Sequence, residues 1–86
     1  MARYSIAFKP SVRNDLRDVP KADVERILHR VGALADDPRP RDREKLSQQE
    51  RYRVRQGDHP IVCEVKDAQV LVWVVRVGHR RDVYRR

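Results

Sequence analysis

The sequence predicts an α+β fold in which a four-stranded, mainly antiparallel sheet packs against an N-terminal helical hairpin. Three patterns support this prediction: an alternating N-terminal segment, two segments with apolar residues at helical spacing, and three β-rich C-terminal segments joined by short turns. The predicted element order is β-α-α-β-β-β. A chain of 86 residues suits one small domain, which we expect to span residues 1–86.

The N-terminal part predicts one strand and one short helix. Arg3–Phe8 alternates and contains Tyr, Ile and Phe, which favours a strand. Pro10 or Ser11 can begin a helix, because proline is tolerated at the first helical position and serine is a good cap. Pro20 ends this helix. Its apolar face consists of Val12, Leu16 and Val19.

A second amphipathic helix is predicted over Lys21–Asp36, antiparallel to the first. Its apolar residues recur at spacings of three and four: Val24, Ile27, Leu28, Val31, Leu34 and Ala35. Asp36–Glu50 is predicted to be a loop, since Pro38 and Pro40 disfavour helix and charged residues dominate the segment.

Three strands are predicted in the second half of the chain: Arg51–Gln56, Pro60–Lys66 and Gln69–Val77. The short turns Gly57-Asp58 and Asp67-Ala68 make these strands an antiparallel meander. The last strand is almost continuously apolar, and we therefore expect it to be central and covered on both faces.

Positive charge is concentrated in two short segments. The formal net charge is +7. Residues 51–55 and 76–86 contain eight arginines and one acid, Asp82, whereas bases and acids balance over the remaining residues. A solvated face is the simpler explanation of such runs. A concentrated arginine patch favours a polyanionic partner, since the planar guanidinium fits phosphate and stacks on bases.

Several function classes are excluded by composition. No apolar run approaches the ~20 residues of a membrane-spanning helix. Cys63 is the only cysteine, so neither an internal disulfide nor a cysteine-rich zinc site can form. The N-terminus has no apolar signal-peptide core, and these features together predict a cytoplasmic protein. Without a metal-ligand cluster or a phosphate-binding glycine loop, we expect no cofactor.

The candidate site residues lie in the two arginine-rich segments. Strand periodicity places Arg51, Arg53 and Arg55 on one face. A second group follows Val77-Gly78: His79, Arg80, Arg81, Tyr84 and Arg85. Arginines can orient a phosphate and neutralise its charge. RNA supplies its own nucleophile, the 2′-hydroxyl next to the phosphate. The residues thus suggest a basic single-strand binder capable of metal-independent RNA cleavage.

Only a few side chains are candidates for acid–base catalysis. Candidates are His59, His79, Glu64 and Tyr84. Glu64 lies on a predicted strand, where a carboxylate is more often the cross-strand partner of an arginine than a base.

The chain resembles the RelE/ParE superfamily of bacterial toxins, and most closely the RelE-type mRNA interferases. The similarity is carried by KLSQQERYRVRQGD and EVKDAQVLVWVVRVGHRRDVY and covers essentially the whole chain. The resemblance implies a toxin of a type II toxin–antitoxin system that cleaves mRNA in the ribosomal A site by 2′-hydroxyl attack. It also implies a hetero-oligomer with a neutralising antitoxin.

The resemblance assigns roles to individual residues. Arg53 and Arg55 match basic residues of the family site, Arg80 matches a phosphate-stabilising arginine, and Tyr84 matches a tyrosine that stacks on substrate or transfers a proton. RNA binding is assigned to further basic residues: Arg51, Lys45, His79, Arg81 and Arg85.

One segment departs from the family pattern. In the family, this segment reads Gly-Asp-Tyr-Arg, then two apolar residues, then Tyr-Glu. This chain has Gly57-Asp58-His59-Pro60-Ile61-Val62-Cys63-Glu64 instead. Pro60 therefore stands where the family has an active-site arginine, and His59 is an alternative acid–base group. Two other functions remain open: a catalytically weakened relative that still binds antitoxin, and a ParE-like inhibitor of DNA gyrase.

Overall fold

The computed structural model describes residues 3–46 and 51–78. Within these ranges the chain forms two α-helices and five strands. In chain order they are β1 (Ser5–Phe8), α1 (Val12–Leu16), α2 (Lys21–Ala33), β2 (Glu44–Leu46), β3 (Arg51–Gln56), β4 (His59–Lys66) and β5 (Leu71–Val77). A short 3₁₀ turn over Asp67–Gln69 links the last two strands.

The strands form a single sheet in the order β1-β5-β4-β3-β2. All neighbours are antiparallel except β1 and β5, which run parallel. The predicted α+β class, the mainly antiparallel sheet and the C-terminal meander are therefore confirmed. Gly57 has a φ of 61° in the tight turn between β3 and β4, a conformation that glycine adopts without steric cost.

The predicted strand count is wrong by one. Glu44–Leu46, expected to be loop, is the edge strand β2 and pairs with β3. Two of its three residues are charged and its pairing uses backbone groups, so side-chain patterning carries little signal for it. Helix α2 also ends earlier than predicted, at Ala33 instead of Asp36, although Leu34 and Ala35 stay buried beyond its end.

The hydrophobic core lies between the helices and one face of the sheet. The helical part contributes Val12, Val19, Ile27, Val31 and Leu34, and the strands contribute Tyr52, Val54, Ile61, Cys63, Val65, Val72, Val74 and Val77. Alternate residues of β3 and β4 are buried in this layer, as strand geometry requires. The other face of the sheet is not covered by either helix.

Strand β5 is not covered on both faces, contrary to the prediction. Leu71 and Trp73 are only partly buried and Arg76 is exposed. A β-bulge adds Val75 between the residues paired with Val62 and Cys63, so two consecutive valines of β5 are buried. The bulge interrupts the alternation, which is why the apolar run resembled a strand buried on both sides.

Asp67 connects three distant segments at the β4–β5 turn. The Tyr4 hydroxyl donates to its Oδ1 at 2.7 Å, and Arg39 Nη2 donates to its Oδ2 at 2.8 Å. The hydrogen bond from Arg39 has the largest effect in lowering the pKa of the Asp67 carboxyl, and the bond from Tyr4 lowers it further. The turn ends at Val70, whose φ of 51° is uncommon for a β-branched residue. The Ser5 N–H donates to the Val70 carbonyl at 2.8 Å, which ties β1 to this turn.

Candidate functional site

The face of the sheet opposite the helices carries the predicted arginines. Arg51, Arg53 and Arg55 alternate along β3 with the buried Tyr52 and Val54. All three therefore point away from the core, as predicted. Arg76 of β5 is exposed on the same face, because it pairs with Val62 of β4. We call the surface formed by Arg51, Arg53, Arg55 and Arg76 the arginine face.

Strand register arranges this face in three rows. The first row runs Arg55–Pro60–Gly78, the second runs Glu44–Arg53–Val62–Arg76, and the third runs Arg51–Glu64–Trp73. Paired residues of neighbouring antiparallel strands lie about 4.5–5.5 Å apart, so each row is a line of side-chain neighbours. The end of β3 and the end of β5 therefore meet across Pro60.

Gly78 packs directly against Pro60. Its N–H donates to the Pro60 carbonyl at 2.7 Å. A Cβ atom on Gly78 would lie 2.7 Å from Pro60 Cγ, closer than real Cβ contacts come. The proline ring is rigid, so the position next to it requires a residue without a side chain. This contact gives a structural reason for the glycine after Val77.

Two of the three β3 arginines form ion pairs with carboxylates on the same face. Arg51 donates to Glu64 across β3 and β4, through Nε at 2.9 Å and also through Nη2. Arg53 Nε donates to Glu44 Oε1 of β2 at 2.7 Å. Hydrogen bonding from Arg51 lowers the pKa of Glu64. The expected cross-strand role of Glu64 is confirmed.

Arg55 differs from the other two β3 arginines. It is exposed at the end of the strand, opposite Pro60, and forms no ion pair with any of the residues that the structure describes. Its guanidinium is therefore available to an external anion.

His59 and Lys45 lie on the other side of the sheet. His59 precedes Pro60 and shares the helix-facing side with Ile61; its Nδ1 lies 3.1 Å from the Gly78 carbonyl oxygen. Its Nε2 lies 3.8 Å from Asp23 Oδ2 of α2, and its side chain is 12% exposed. Lys45 pairs with Tyr52 and so shares the Tyr52 side. The structure does not bring either residue together with the arginines.

The remaining predicted site residues lie outside the described residues. They are His79, Arg80, Arg81, Tyr84 and Arg85. The segment that carries them starts directly after Gly78, which lies in the first row beside Pro60 and is separated from Arg55 by strand β4. Their starting point on the sheet is thus defined.

Two residues of this face, Trp73 and Glu44, and one residue beside the end of β5, Asp15, were not predicted from the sequence. Trp73 lies in the third row, with Lys66 Nζ 5.6 Å from its ring centroid. Alternation counted from the buried Val72 and Val74 would have placed Trp73 on the arginine face. Asp15 of α1 accepts a hydrogen bond from the Val77 N–H at 3.0 Å and so holds the end of β5. Glu44 was missed because its segment was predicted to be loop.

Cys63 is buried in the core, where it packs as a small apolar residue. Burial raises the pKa of its thiol to about 12, which keeps it protonated and unreactive. The parts of the chain described by the structure contain no set of three His, Cys, Asp or Glu side chains placed to bind a metal ion. Neither α1 nor α2 has the length and apolar character needed to cross a bilayer.

Comparisons with known proteins agree with this fold. The sequence model of the ParE toxin of the type II toxin–antitoxin system parDE matches residues 6–84. The chain belongs to this ParE toxin family, within the RelE/ParE superfamily. It is thus a RelE-like toxin of a type II toxin–antitoxin system.

Individual relatives are of the RelE type. The chain is 27% identical to toxin RelG of Mycobacterium tuberculosis over 96% of its own length and 98% of the relative. The toxin–antitoxin complex RelBE2 of the same organism matches with a TM-score of 0.82 and 24% identity, covering 93% and 94% of the two chains. The RelB–RelE antitoxin–toxin complex of Methanococcus jannaschii matches with a TM-score of 0.73 and 26% identity, covering 91% and 94%.

The contact between Gly78 and Pro60 makes a first prediction. Gly78→Ala should lower the free energy of unfolding by about 1–3 kcal/mol, because the new methyl group overlaps the proline ring. In a Pro60→Ala background the same substitution should cost much less. Urea denaturation of the two single variants and the double variant measures this coupling.

Gly32→Ala is the matched control for this cycle. Gly32 lies in α2 with nothing within 4 Å of its Cβ position, so alanine there should stabilise the protein by about 0.5–1 kcal/mol. Equal effects of Gly78→Ala in the presence and absence of Pro60 would show that the ring is not the constraint.

Proposed function

We propose that this toxin is a ribosome-dependent, metal-independent mRNA endonuclease whose substrate phosphates bind the arginine face. One observation carries the proposal. The two segments that hold the entire excess of positive charge are separated in sequence, yet the sheet makes them neighbours, because Arg55 and Gly78 both adjoin Pro60. Arg53 and Arg76, one from each segment, also share the second row on either side of Val62, so a phosphate bound there would be flanked by arginines of both segments.

The proposed reaction needs no external nucleophile. The 2′-oxygen attacks the adjacent phosphorus, the bond from phosphorus to the 5′-oxygen breaks, and the products are a 2′,3′-cyclic phosphate and a 5′-hydroxyl. One proton leaves the attacking hydroxyl and another reaches the leaving oxygen. Negative charge grows on the phosphate in the transition state, and fixed guanidinium groups stabilise it.

Residue roles follow from position and from the family resemblance. Arg53 and Arg55 bind phosphate on the arginine face, Arg80 stabilises the transition state, and Tyr84 stacks on a base or transfers a proton. Further binding is assigned to Arg51 on the arginine face and, from the resemblance, to His79, Arg81 and Arg85; Lys45 is left out because it lies on the Tyr52 side of the sheet. Since ribosomes are its site of action, we place the toxin in the cytoplasm.

His59 acts on the site indirectly in this proposal. Its ring lies on the helix-facing side of the sheet, and Nδ1 contacts the carbonyl oxygen of Gly78. We therefore assign His59 the role of holding the residue that precedes the catalytic segment. Tyr84, and His79 as the second candidate, then remain for proton transfer.

Arg80 carries the main prediction for activity. Arg80→Ala should reduce mRNA cleavage in a translating extract by about 10²–10³-fold, the usual effect of losing a group that stabilises transition-state charge. Arg17→Ala is the matched control, since Arg17 is exposed at the end of α1 on the helix side. Cleavage that persists in Arg80→Ala at the wild-type rate would contradict the assignment.

Cleavage by a Pro60 variant and an assay of gyrase activity separate the alternative functions. Pro60→Arg adds a guanidinium beside Arg55 and should raise the cleavage rate if the natural site is weakened by the proline. The resemblance to ParE leaves inhibition of DNA gyrase as the other candidate function. Growth arrest without mRNA cleavage, accompanied by loss of gyrase supercoiling activity, would favour a ParE-like inhibitor.

A groove on the helix side is the proposed docking site for the antitoxin. It has a volume of about 550 Å³ and is lined by Phe8, Lys9, Pro10, Val12, Arg13, Leu16 and Leu28. Phe8 and Leu28, 42% and 44% exposed, are the only large hydrophobic residues that are exposed within the described ranges. Lys9 and Arg13 add positive charge. An amphipathic antitoxin helix with an apolar face and acidic neighbours would complement this groove.

Leu28→Glu tests this assignment. The substitution places a carboxylate in the apolar groove, and it should weaken binding of the cognate antitoxin at least tenfold. Ala22→Glu, exposed on the same helix but away from the groove, should leave binding unchanged. Co-purification and titration calorimetry measure the two affinities. Equal affinities of wild type and Leu28→Glu would move the antitoxin to another surface.

A further inference from the structure

The ion pairs on the arginine face differ in character. Glu64 is 14% exposed at its side chain, receives two hydrogen bonds from Arg51, and has Lys66 Nζ at 3.4 Å from Oε1. The Glu64 side chain is therefore largely shielded from solvent, between Arg51 and Lys66. Glu44 is 56% exposed on the edge strand β2, and its only ion-pair partner among the described residues is Arg53. The Glu44–Arg53 pair is thus the one that an incoming ligand can open.

Glu44 occupies the part of Arg53 that would bind phosphate. Arg53 Nε donates to Glu44 Oε1 at 2.7 Å, and Arg53 Nη2 contacts the same oxygen. Phosphate and carboxylate both bind guanidinium through such paired donors. The carboxylate therefore fills the position that a phosphate oxygen would take.

We propose that Glu44 is an internal competitor for the phosphate-binding edge of Arg53 and thereby lowers the affinity of the arginine face for free single-stranded RNA. The inference rests on the proposed function and specifies how binding at the same site is limited. Exposed ion pairs contribute little to stability, so a phosphate can displace the carboxylate. The displaced carboxylate stays on the adjacent strand, where it repels the phosphate.

This arrangement has a consequence for substrate choice. A small domain with a net charge of +7 attracts any polyanion through long-range electrostatics. The competitor reduces the phosphate contacts that a free strand can make. When the strand is held by the ribosome, contacts between toxin and ribosome add binding free energy. This addition offsets the cost of displacing Glu44. The Glu44–Arg53 pair thus weakens the binding of free and ribosome-bound RNA by the same factor, and only the ribosome-bound strand keeps enough affinity to stay bound.

Glu44→Gln tests the proposal directly. The probe is a fluorescein-labelled single strand with 2′-O-methyl groups, which cannot be cleaved by 2′-hydroxyl attack. Fluorescence anisotropy measures its dissociation constant at NaCl concentrations from about 50 to about 300 mM. In this range the affinity contributed by phosphate contacts depends strongly on salt. Affinity at the lowest salt should rise about tenfold, and the log–log salt slope should steepen by about 0.7, the value for one added phosphate contact on a single strand.

Two controls separate this mechanism from a general effect of charge. Asp42→Asn removes one negative charge at the exposed partner of Arg30 of α2, so it matches the charge change away from Arg53. Its salt slope should remain that of the wild type. In an Arg53→Ala background, Glu44→Gln should give no gain in affinity.

The outcomes are distinct. A larger affinity and a steeper slope that disappear with Arg53→Ala support the proposal. An equal gain in Asp42→Asn, a gain that survives Arg53→Ala, or no gain in a protein that binds RNA would overturn it while leaving the proposed function intact. Failure of wild type and all variants to bind the free strand would overturn this inference, whereas absence of mRNA cleavage by the wild type in the translating extract would overturn the proposed function.

Discussion

Burial of one face of the sheet is the constraint on which the site depends. Ile27, Val31 and Leu34 of the helical layer pack into a core with alternate residues of β3, β4 and β5. Strand periodicity then directs the intervening residues to the opposite face. A shift of β3 by one residue would bury Arg53 and expose Val54, at a large cost in free energy. Packing of the core therefore fixes where the arginines point.

Much of this architecture could be predicted from the sequence. The alternation of Arg and apolar residues in β3 and the helical spacing in α2 gave the correct layers, because each reflects burial on one side only. β2 could not be predicted, since an edge strand is held by backbone pairing with β3. The bulge at Val75 was also invisible, because an extra valine within an apolar run does not change the composition.

The site could be predicted only in part, because contacts between strands depend on register, which the sequence pattern does not reveal. Side-chain direction on β3 follows from periodicity, whereas the ion partners of its arginines depend on register. Glu44 and Glu64 come to Arg53 and Arg51 only after the strands pair. His59 shows the same limit: it adjoins Pro60 in sequence, but the pleat directs its ring toward α2 and Asp23.

The row Arg55–Pro60–Gly78 connects fold and proposed chemistry. Proline at its centre contributes no charge, and its ring accounts for the glycine at the end of β5. The carbonyl groups of Pro60 and Gly78 and the side chain of Asp15 together fix the last residues of β5 through hydrogen bonds. The segment that we propose to be catalytic therefore begins at a defined position, across Pro60 from Arg55, the β3 arginine without an ion pair among the described residues.

The most direct test of the central claim is to observe the arginine side chains while RNA binds. Arginine Nε–Hε correlations in ¹H–¹⁵N NMR spectra report each guanidinium separately during titration with an uncleavable 2′-O-methyl single strand. The resonances of Arg53 and Arg55 should shift together, in the same range of RNA concentration, while Arg17 and Arg26 on the helix side stay unchanged. Shifts confined to the helix-side arginines would contradict the assignment of the arginine face as the RNA-binding surface.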